Sequence, residues 1–253
     1  MKITILGSGT SGGVPMIGCG CEVCTSSDTR DKRLRCSILL ETNNQVFVID
    51  AGPDFRQQML RADVKKLDAI LLTHSHKDHT AGLDDIRAYN YFQGNPMPIY
   101  LTEETEFSLR KEFHYVFEEK TYPGLPEMQF FRISNSPFYI QERKFLPVEV
   151  SHLNMQVLGL RINNFCYITD ANYISPQEKV KMKDCEVLVI NALRKEKHIS
   201  HFNLEEALQI IEEVKPARAY LTHISHQLGK HAEIEKQLPG HVFLAYDGLV
   251  LEV

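Results

Sequence analysis

The amino-acid sequence predicts an α/β or α+β protein in which β-sheets pack face to face and helices cover their outer sides. Short β-rich runs alternate with helical patterns along the whole 253-residue chain, as expected for layered sheets and helices. Hydrophobic residues make up 43% of the chain and charged residues 24%, so the composition is globular and excludes a disordered or fibrous protein. Because no linker rich in Pro, Gly or Ser divides the chain, we interpret residues 1–253 as a single domain.

The first half of the chain alternates short apolar runs, typical of strands, with amphipathic runs, typical of helices. A glycine-rich loop follows the first strand, and Asn43-Asn44 between the second and third strands predicts a hairpin turn. The predicted strands are Ile3–Gly7, Ser37–Glu41, Gln45–Ile49, Ala69–Thr73 and Pro98–Leu101. The predicted helices are Phe55–Arg61, Leu83–Phe92 and Glu103–Phe117.

The second half of the chain begins with a strand-dominated stretch, Met128–Arg161, and then alternates again. One helix begins at Pro176, since proline is well tolerated in the first turn of a helix. The other predicted helices are Asn203–Val214 and His231–Leu238. The predicted strands are Phe165–Thr169, Val187–Ile190, Ala217–Thr222, Val242–Tyr246 and Leu249–Val253.

The charge balance argues against nucleic acid as a partner, and the short apolar runs argue against a membrane. Lys and Arg number 28, Asp and Glu number 33, and the formal net charge is −5. An acidic chain without a large basic cluster is poorly suited to binding phosphates of nucleic acid, which we therefore disfavour as a partner. No apolar run reaches the ~20 residues that span a bilayer, so we expect no membrane contact. We interpret residues 1–13 as a first strand and glycine loop rather than a signal peptide, and expect a cytoplasmic protein.

A histidine-rich motif at the end of the fourth predicted strand is the strongest functional signal. Residues 74–79 have the pattern H-x-H-x-D-H, which places four metal-ligating side chains within six residues. Residues two apart on a strand point to the same side, so we expect His74 and His76 to reach one metal ion. A turn after them would bring Asp78 and His79 to the same cavity.

Three more candidate ligands stand at the ends of separate predicted strands. His152, Asp170 and His223 each follow an apolar run. Each one alone also fits a capping or surface polar residue. Together with the first motif they favour ligation, because a shared metal pocket requires His and Asp side chains from several strand ends. The sequence therefore predicts a two-metal site.

The six cysteines divide into a cluster and three single residues. Cys36, Cys166 and Cys185 lie singly in or beside apolar runs, and we interpret them as buried small hydrophobes. The others are crowded together as Cys19, Cys21 and Cys24, a spacing more typical of a metal site than of disulfides in a chain without an export signal. A closed zinc site needs four ligands, and the fourth candidate is His226, three residues after His223. Three reduced surface cysteines without metal are the alternative.

With these motifs in this order, the chain resembles the metallo-β-lactamase superfamily. The resemblance implies a four-layer αββα sandwich with a binuclear site at one edge. It also implies that Asp50, in Val48–Gly52, orients a metal ligand without binding the metal itself. The implied ligands are His74, His76 and His152 for the first ion, Asp78, His79 and His223 for the second, and Asp170 as a bridge between the two.

The cysteine cluster narrows the resemblance to the phosphoribosyl cyclic phosphate phosphodiesterases of bacterial phosphonate catabolism. This closer resemblance rests on four features: the glycine loop, the C-x-C-x-x-C cluster, residues Arg35–Ser37 and residues Thr222–His226. That branch implies a structural zinc ion at the cluster and a homodimer. It also implies a histidine general acid, for which His201 matches better than His198, and we expect a phosphate beside that imidazole to keep it charged at pH 7.

The implied activity is hydrolysis of small, cyclic phosphoribosyl-type phosphodiesters to phosphomonoesters. Two divalent ions, zinc or manganese, would activate water as hydroxide, and His201 would protonate the leaving alkoxide. Asp78 counts with His201 among the catalytic residues. It also favours a phosphodiesterase over thiolate-rich lactamase sites, because an oxygen ligand suits manganese as well as zinc. The alternatives are a transfer-RNA 3′-end processing nuclease, another hydrolase of the superfamily acting on thioesters or lactones, and a non-enzymatic carrier resembling the pyrroloquinoline quinone biosynthesis B proteins.

Overall fold

The chain folds around two β-sheets that pack against each other. The computed structural model describes residues 1–42, 45–118 and 124–253, and within them each sheet has seven strands. In the first sheet the strand order is β14-β1-β2-β3-β4-β5-β6, and in the second it is β13-β12-β11-β10-β9-β8-β7. The first sheet consists of β1 Lys2–Gly7, β2 Ser37–Thr42, β3 Gln45–Ile49, β4 Ala69–Leu71, β5 Met97–Leu101, β6 Met128–Arg132 and β14 Val250–Glu252. The second consists of β7 Phe138–Ile140, β8 Arg143–His152, β9 Met155–Ile162, β10 Phe165–Ile168, β11 Val187–Asn191, β12 Arg218–Thr222 and β13 Val242–Leu244.

Seven α-helices are described, and the longer ones cover the outer faces of the two sheets. They are α1 Phe55–Arg61, α2 Lys77–Thr80, α3 Arg87–Gln93, α4 Glu103–Glu112, α5 Pro176–Met182, α6 Leu204–Val214 and α7 His231–Glu235. Local sequence explains several helix starts. Asn203 and Glu206 form a reciprocal capping box before α6, and the Ser175 hydroxyl accepts from Glu178 N–H before α5.

Alternation along the strands creates three apolar layers. Between the sheets, Ile5 and Phe47 from the first sheet belong to one buried cluster with Tyr167 and Val189 from the second. The opposite faces of both sheets pack on helices, as Val48 does in the cluster that contains Phe55 of α1. The second sheet contributes Leu188 and Ile190 to the cluster that contains Ile211 of α6. This helix–sheet–sheet–helix order confirms the predicted αββα sandwich.

Parallel strands in both sheets bring their carboxyl ends to the edge that holds the candidate site. Strands β3 to β6 are parallel neighbours, as are β10 to β13. The segments that leave β3 and β4 therefore start side by side in the first sheet, and those that leave β10 and β12 start on either side of β11 in the second. Asp50, Asp170 and His223 follow three of these strands at positive φ angles of 67°, 51° and 54°. Such backbone angles cost on the order of 1–3 kcal/mol each for non-glycine residues and concentrate at functional sites.

Most predicted elements are confirmed, and the differences lie at their ends. The predicted strand Ala69–Thr73 ends at Leu71, and short 3-10 turns interrupt the two long helices predicted in the first half. One of these turns precedes α3 and the other follows α4. The short helix α2 was not predicted. Asn43 and Asn44 lie outside the described residues, although Thr42 and Gln45 on either side pair in register.

Among the described residues, no helix combines the length and the apolar character that crossing a bilayer requires.

Candidate metal centres

The histidine motif occupies the connection between β4 and α2 rather than a strand. The strand ends at Leu71, and His76 is the N-cap residue of α2 with extended backbone angles. The expectation that His74 and His76 lie on one strand is therefore wrong, because the chain leaves the sheet before reaching them. The bend nevertheless brings the two rings together, with centroids 4.6 Å apart.

One group of candidate ligands joins the two sheets around Asp170. His79 Nε2 lies 3.3 Å and His223 Nε2 lies 3.2 Å from Asp170 Oδ1. The same two nitrogens lie 3.2 and 3.5 Å from Asp78 Oδ2. These four side chains can therefore offer one ligand atom each to a single ion.

A second group faces the other oxygen of the same carboxylate. His74 Nε2 lies 3.8 Å from Asp170 Oδ2, and His76 completes a set of three ligand atoms with them. His152 ends β8, and its ring centroid lies 5.1 Å from that of His76. The ligand atom of His152 is grouped most closely with Asp170 and His201. The other six predicted ligands thus surround Asp170, with one group on each side of its carboxylate.

Unpartnered buried nitrogens indicate that these residues fit divalent cations. Within the described residues, His74 Nε2, His79 Nε2 and both ring nitrogens of His223 are buried without a hydrogen-bond partner. Burying an unsatisfied polar group costs about 1–3 kcal/mol, which a bound cation would offset. Burial opposes ionisation of Asp170, but the neighbouring His223 and His79 outweigh it and hold the pKa of the carboxyl well below its usual range. Imidazole nitrogens together with carboxylate oxygens are a suitable donor set for zinc or manganese.

Asp50 contacts a candidate ligand on the side away from the ion position, as expected from the resemblance. Its Oδ2 accepts a hydrogen bond from His79 Nδ1 at 2.7 Å, which leaves Nε2 of that ring for a ligand. Its carboxylate also accepts from the backbone N–H and the hydroxyl of Thr73. Both Asp50 and His79 are fully buried.

His201 lies at the rim of the two groups. Its Nε2 is 3.3 Å from Asp170 Oδ2, and its ring stacks on that of His223 with centroids 4.8 Å apart. His198 lies on the outer side, with the two Nδ1 atoms 3.3 Å apart. The expectation that a phosphate beside His201 keeps its imidazole charged at pH 7 stays a prediction. Burial lowers the pKa of His201 to about 4, despite the hydrogen bond with Asp170.

Two residues that hold the site were missed by the sequence analysis. The carbonyl of Ser200 accepts from His152 Nδ1 at 2.7 Å, and its hydroxyl lies 3.0 Å from His201 Nδ1. Asn191 ends β11 and exchanges two hydrogen bonds with the backbone of Ala171, which follows Asp170. An Asn directly after the apolar run Val187–Ile190 was a usable signal for Asn191. A backbone contact such as that of Ser200 has no sequence signal.

The cysteine cluster forms a separate group of four candidate ligands with His226. The Sγ atoms of Cys19 and Cys21 lie 3.5 and 3.2 Å from His226 Nδ1, and Cys24 belongs to the same group. Hydrogen bonding with His226 lowers the pKa of the Cys21 thiol to about 6, whereas burial raises that of Cys24 to about 11. The other three cysteines are buried in the apolar core, which confirms the sequence interpretation of Cys36, Cys166 and Cys185.

Comparisons with known proteins agree with this architecture. Residues 45–224 match the beta-lactamase superfamily domain. A protein of Porphyromonas gingivalis named octanoyltransferase is 38% identical over 252 residues, which is 98% of this chain but 51% of that protein. Coenzyme PQQ synthesis protein B of Rhodopseudomonas palustris is 31% identical over 140 residues, 50% of this chain and 44% of that protein. The chain thus spans about half the length of the curated relatives that it matches.

Solved structures give the same result over the whole chain. A crystal structure described as a new diphosphatase from the PhnP family is 39% identical, with a TM-score of 0.93, and the match covers 100% of this chain and 97% of that one. Zinc-bound PqqB from Methylobacterium extorquens is 19% identical with a TM-score of 0.79, covering 100% of both chains, and so shares the fold. The match over residues 45–224 and the similarity to the diphosphatase support a metal-dependent hydrolase. The chain belongs to the metallo-β-lactamase superfamily, and within it to the PhnP branch.

Proposed function

We propose that this chain hydrolyses small phosphodiesters, cyclic phosphoribosyl-type esters among them, to phosphomonoesters. The observation that carries the proposal is the position of His201 Nε2, 3.3 Å from the carboxylate that lies between the two ligand groups. An imidazole that could carry a proton would thereby lie next to the place where a phosphoryl group would bind. Ester cleavage with a poor alkoxide leaving group needs such a donor.

The side chains that would hold the two ions are those named by the resemblance. Asp170 would contact both ions, with His74, His76 and His152 on one side of its carboxylate. The other ion would take Asp78, His79 and His223. When bound, a pair of divalent ions polarises phosphoryl oxygens and lowers the pKa of water to about 7.

The chain's own residues would then handle the proton and the orientation. His201 is neutral at pH 7 in the substrate-free protein, so it has to gain its proton together with the anionic substrate. A phosphate beside Nε2 raises the pKa of an imidazole, because opposite charges favour the protonated form. Nε2–H then donates to the departing oxygen, and the Ser200 hydroxyl steadies the ring at Nδ1. His198, on the solvent side, is the alternative general acid.

We propose a structural zinc ion at Cys19, Cys21, Cys24 and His226. Three sulfur atoms and one ring nitrogen within reach of one another are a complete set for a closed tetrahedral site. A closed site has no open position for a substrate, so this ion would stabilise the glycine loop rather than take part in hydrolysis. We also propose a homodimer, which sedimentation at several protein concentrations would test.

A second candidate activity is cleavage of a diphosphate. The 39% identical solved relative is described as a diphosphatase, and P–O–P cleavage needs the same placement of phosphoryl oxygens. The difference is the leaving group: a phosphate leaves more readily than an alkoxide, so diphosphate cleavage depends less on His201.

A substrate panel with zinc or manganese tests the proposal. It contains a ribose cyclic phosphate, a dinucleoside diphosphate, an octanoyl thioester and a transfer-RNA precursor. We expect the cyclic phosphodiester to have the highest kcat/KM. Preference for the diphosphate would favour the second candidate. Turnover of the thioester or the RNA alone would contradict both.

A further inference from the structure

Thr73 contacts both the buried carboxylate of Asp50 and a candidate metal ligand. Its backbone N–H donates to Asp50 Oδ1 at 2.9 Å, and its hydroxyl oxygen lies 3.0 and 2.9 Å from the two carboxylate oxygens. The same hydroxyl oxygen lies 3.0 Å from Nδ1 of His74. Thr73 and His74 are each 1% exposed and Asp50 is 0% exposed, so water does not compete for these contacts.

The direction of each hydrogen bond follows from counting protons. A threonine hydroxyl has one proton to give, and an ionised carboxylate only accepts. The hydroxyl of Thr73 therefore donates to Asp50 and accepts from Nδ1–H of His74. That tautomer leaves the lone pair of His74 on Nε2, the buried atom that has no partner among the described residues.

Asp50 therefore contacts the ligands of the two proposed ion sites in different ways, one directly and one through Thr73. His79 donates to Asp50 directly, at 2.7 Å. His74 reaches the same carboxylate only through the hydroxyl of Thr73. A substitution at Asp50 removes the direct partner of His79 and the acceptor that orients Thr73. A substitution of the Thr73 hydroxyl removes the partner of His74 Nδ1 but leaves the direct hydrogen bond between His79 and Asp50.

We propose that Thr73 is a positioning residue for the ion held by His74, His76 and His152, and that its hydroxyl fixes the tautomer of His74. The proposal rests on the proposed metal site, but it is independent of which phosphate ester is hydrolysed. A binding measurement therefore tests it even where no substrate is known. Outer hydrogen-bond partners of metal-ligating histidines typically change metal affinity by about 10–100-fold.

The experiment measures zinc affinity by competition with a chelator in wild type, Thr73→Val and Thr73→Ser. Valine keeps the shape and removes the hydroxyl, whereas serine keeps it. We expect Thr73→Val to lower the zinc affinity of one of the two sites formed by the His and Asp ligands by about 10–100-fold. The affinity of the other site should stay close to that of the wild type. Thr73→Ser should restore both. Equal weakening of both ions, or none, would overturn the proposal.

A matched control separates positioning from loss of stability. Thr105 is 3% exposed, and its hydroxyl accepts a hydrogen bond from the Thr102 hydroxyl at the start of α4. Thr105→Val therefore also removes a buried hydroxyl contact, and we expect it to change neither affinity. If Thr73→Val does not fold, the tautomer of His74 can still be determined in the zinc-loaded wild type. Proton–nitrogen correlation spectra of the imidazoles show which ring nitrogen carries the proton. A protected proton on Nδ1 of His74 is the expected result, and its absence would overturn the proposal.

Discussion

The two ligand clusters of this chain differ in how their side chains are held. The His and Asp cluster takes residues from both sheets, and buried partners such as Asp50 fix the rings from behind. The cysteine cluster takes three residues from one loop and its fourth, His226, from the segment after β12. Cys19, Cys21 and His226 are partly exposed, whereas His79 and His223 are buried. The first cluster is therefore supported by both sheets and by buried partners, whereas the second joins one loop to the segment after β12.

The clusters are nevertheless joined by a short segment. Two residues separate His223 from His226, and Ile224 between them exchanges backbone hydrogen bonds with Ser8 and Thr10 of the glycine loop. Each cluster can therefore be broken separately, and the response of the other shows how far they depend on each other.

The largest expected effect comes from Asp170→Asn. The carboxylate lies between both ligand groups, so losing its charge should cost several kcal/mol of stabilisation in the transition state. We expect kcat/KM to fall on the order of 10⁴-fold, since each ~1.4 kcal/mol is a factor of ten. Metal analysis should show fewer ions at the His and Asp cluster and an unchanged ion at the cysteines. Loss of the cysteine-bound ion as well would contradict the separation of the two clusters.

His201→Gln should leave both clusters loaded and still lower activity. For a substrate with an alkoxide leaving group we expect kcat to fall by about 10²–10⁴-fold, because the proton donor is missing. With a nitrophenolate leaving group, which departs without a proton, the loss should be much smaller. The paired measurement is kcat for both substrates, with His198→Gln as the matched control. If His198→Gln shows this dependence on the leaving group instead, His198 is the general acid.

Cys21→Ser should affect stability more than chemistry. We expect about one ion fewer per chain and a fall in Tm of about 10 °C, since a structural zinc ion contributes folding free energy and 1 kcal/mol shifts Tm by about 2–4 °C. Cys185→Ser is the control, because it also removes one cysteine but lies in the buried core near α5, away from the cysteine cluster. We expect it to keep the wild-type metal content. A Cys21→Ser protein with wild-type metal content and Tm would remove the structural ion from the account.

The smallest effect is a difference in thiol reactivity after a chelator has removed the metal. The pKa of Cys21 is about 6, so its thiolate predominates at pH 7, whereas burial raises the pKa of Cys36 to about 12. We expect alkylation at pH 7 to modify Cys21 first and Cys36 last. The rate at Cys21 should fall as the pH drops through about 6, because the thiolate is protonated there. Peptide mass spectrometry locates each label, and early labelling of Cys36 would be inconsistent with its burial.

The sequence predicted the layers and the residues that gather around Asp170 because both leave local patterns. Short apolar runs defined strands such as β2, and H-x-H-x-D-H is compact enough to be recognised by spacing alone. The ends of elements were less predictable. His74 and His76 were expected on a strand that ends before them, because the bend depends on the fold around it.

The supporting contacts could not be predicted from the sequence for a related reason. The carbonyl of Ser200 and the hydroxyl of Thr73 act through contacts that exist only after the strand ends have met. The lowered pKa of His201 in the substrate-free protein could not be predicted for the same reason. Its low pKa follows from burial, which no local pattern reports.

Metal content per chain, measured together with hydrolysis of a bis(aryl) phosphodiester, tests the central claim most directly. The purified protein is analysed after incubation with zinc or manganese. We expect about three ions per chain, two at the His and Asp cluster and one at the cysteines, and turnover that depends on the first two. A single ion at the cysteines with no turnover would contradict the account and indicate a binding protein on a hydrolase fold.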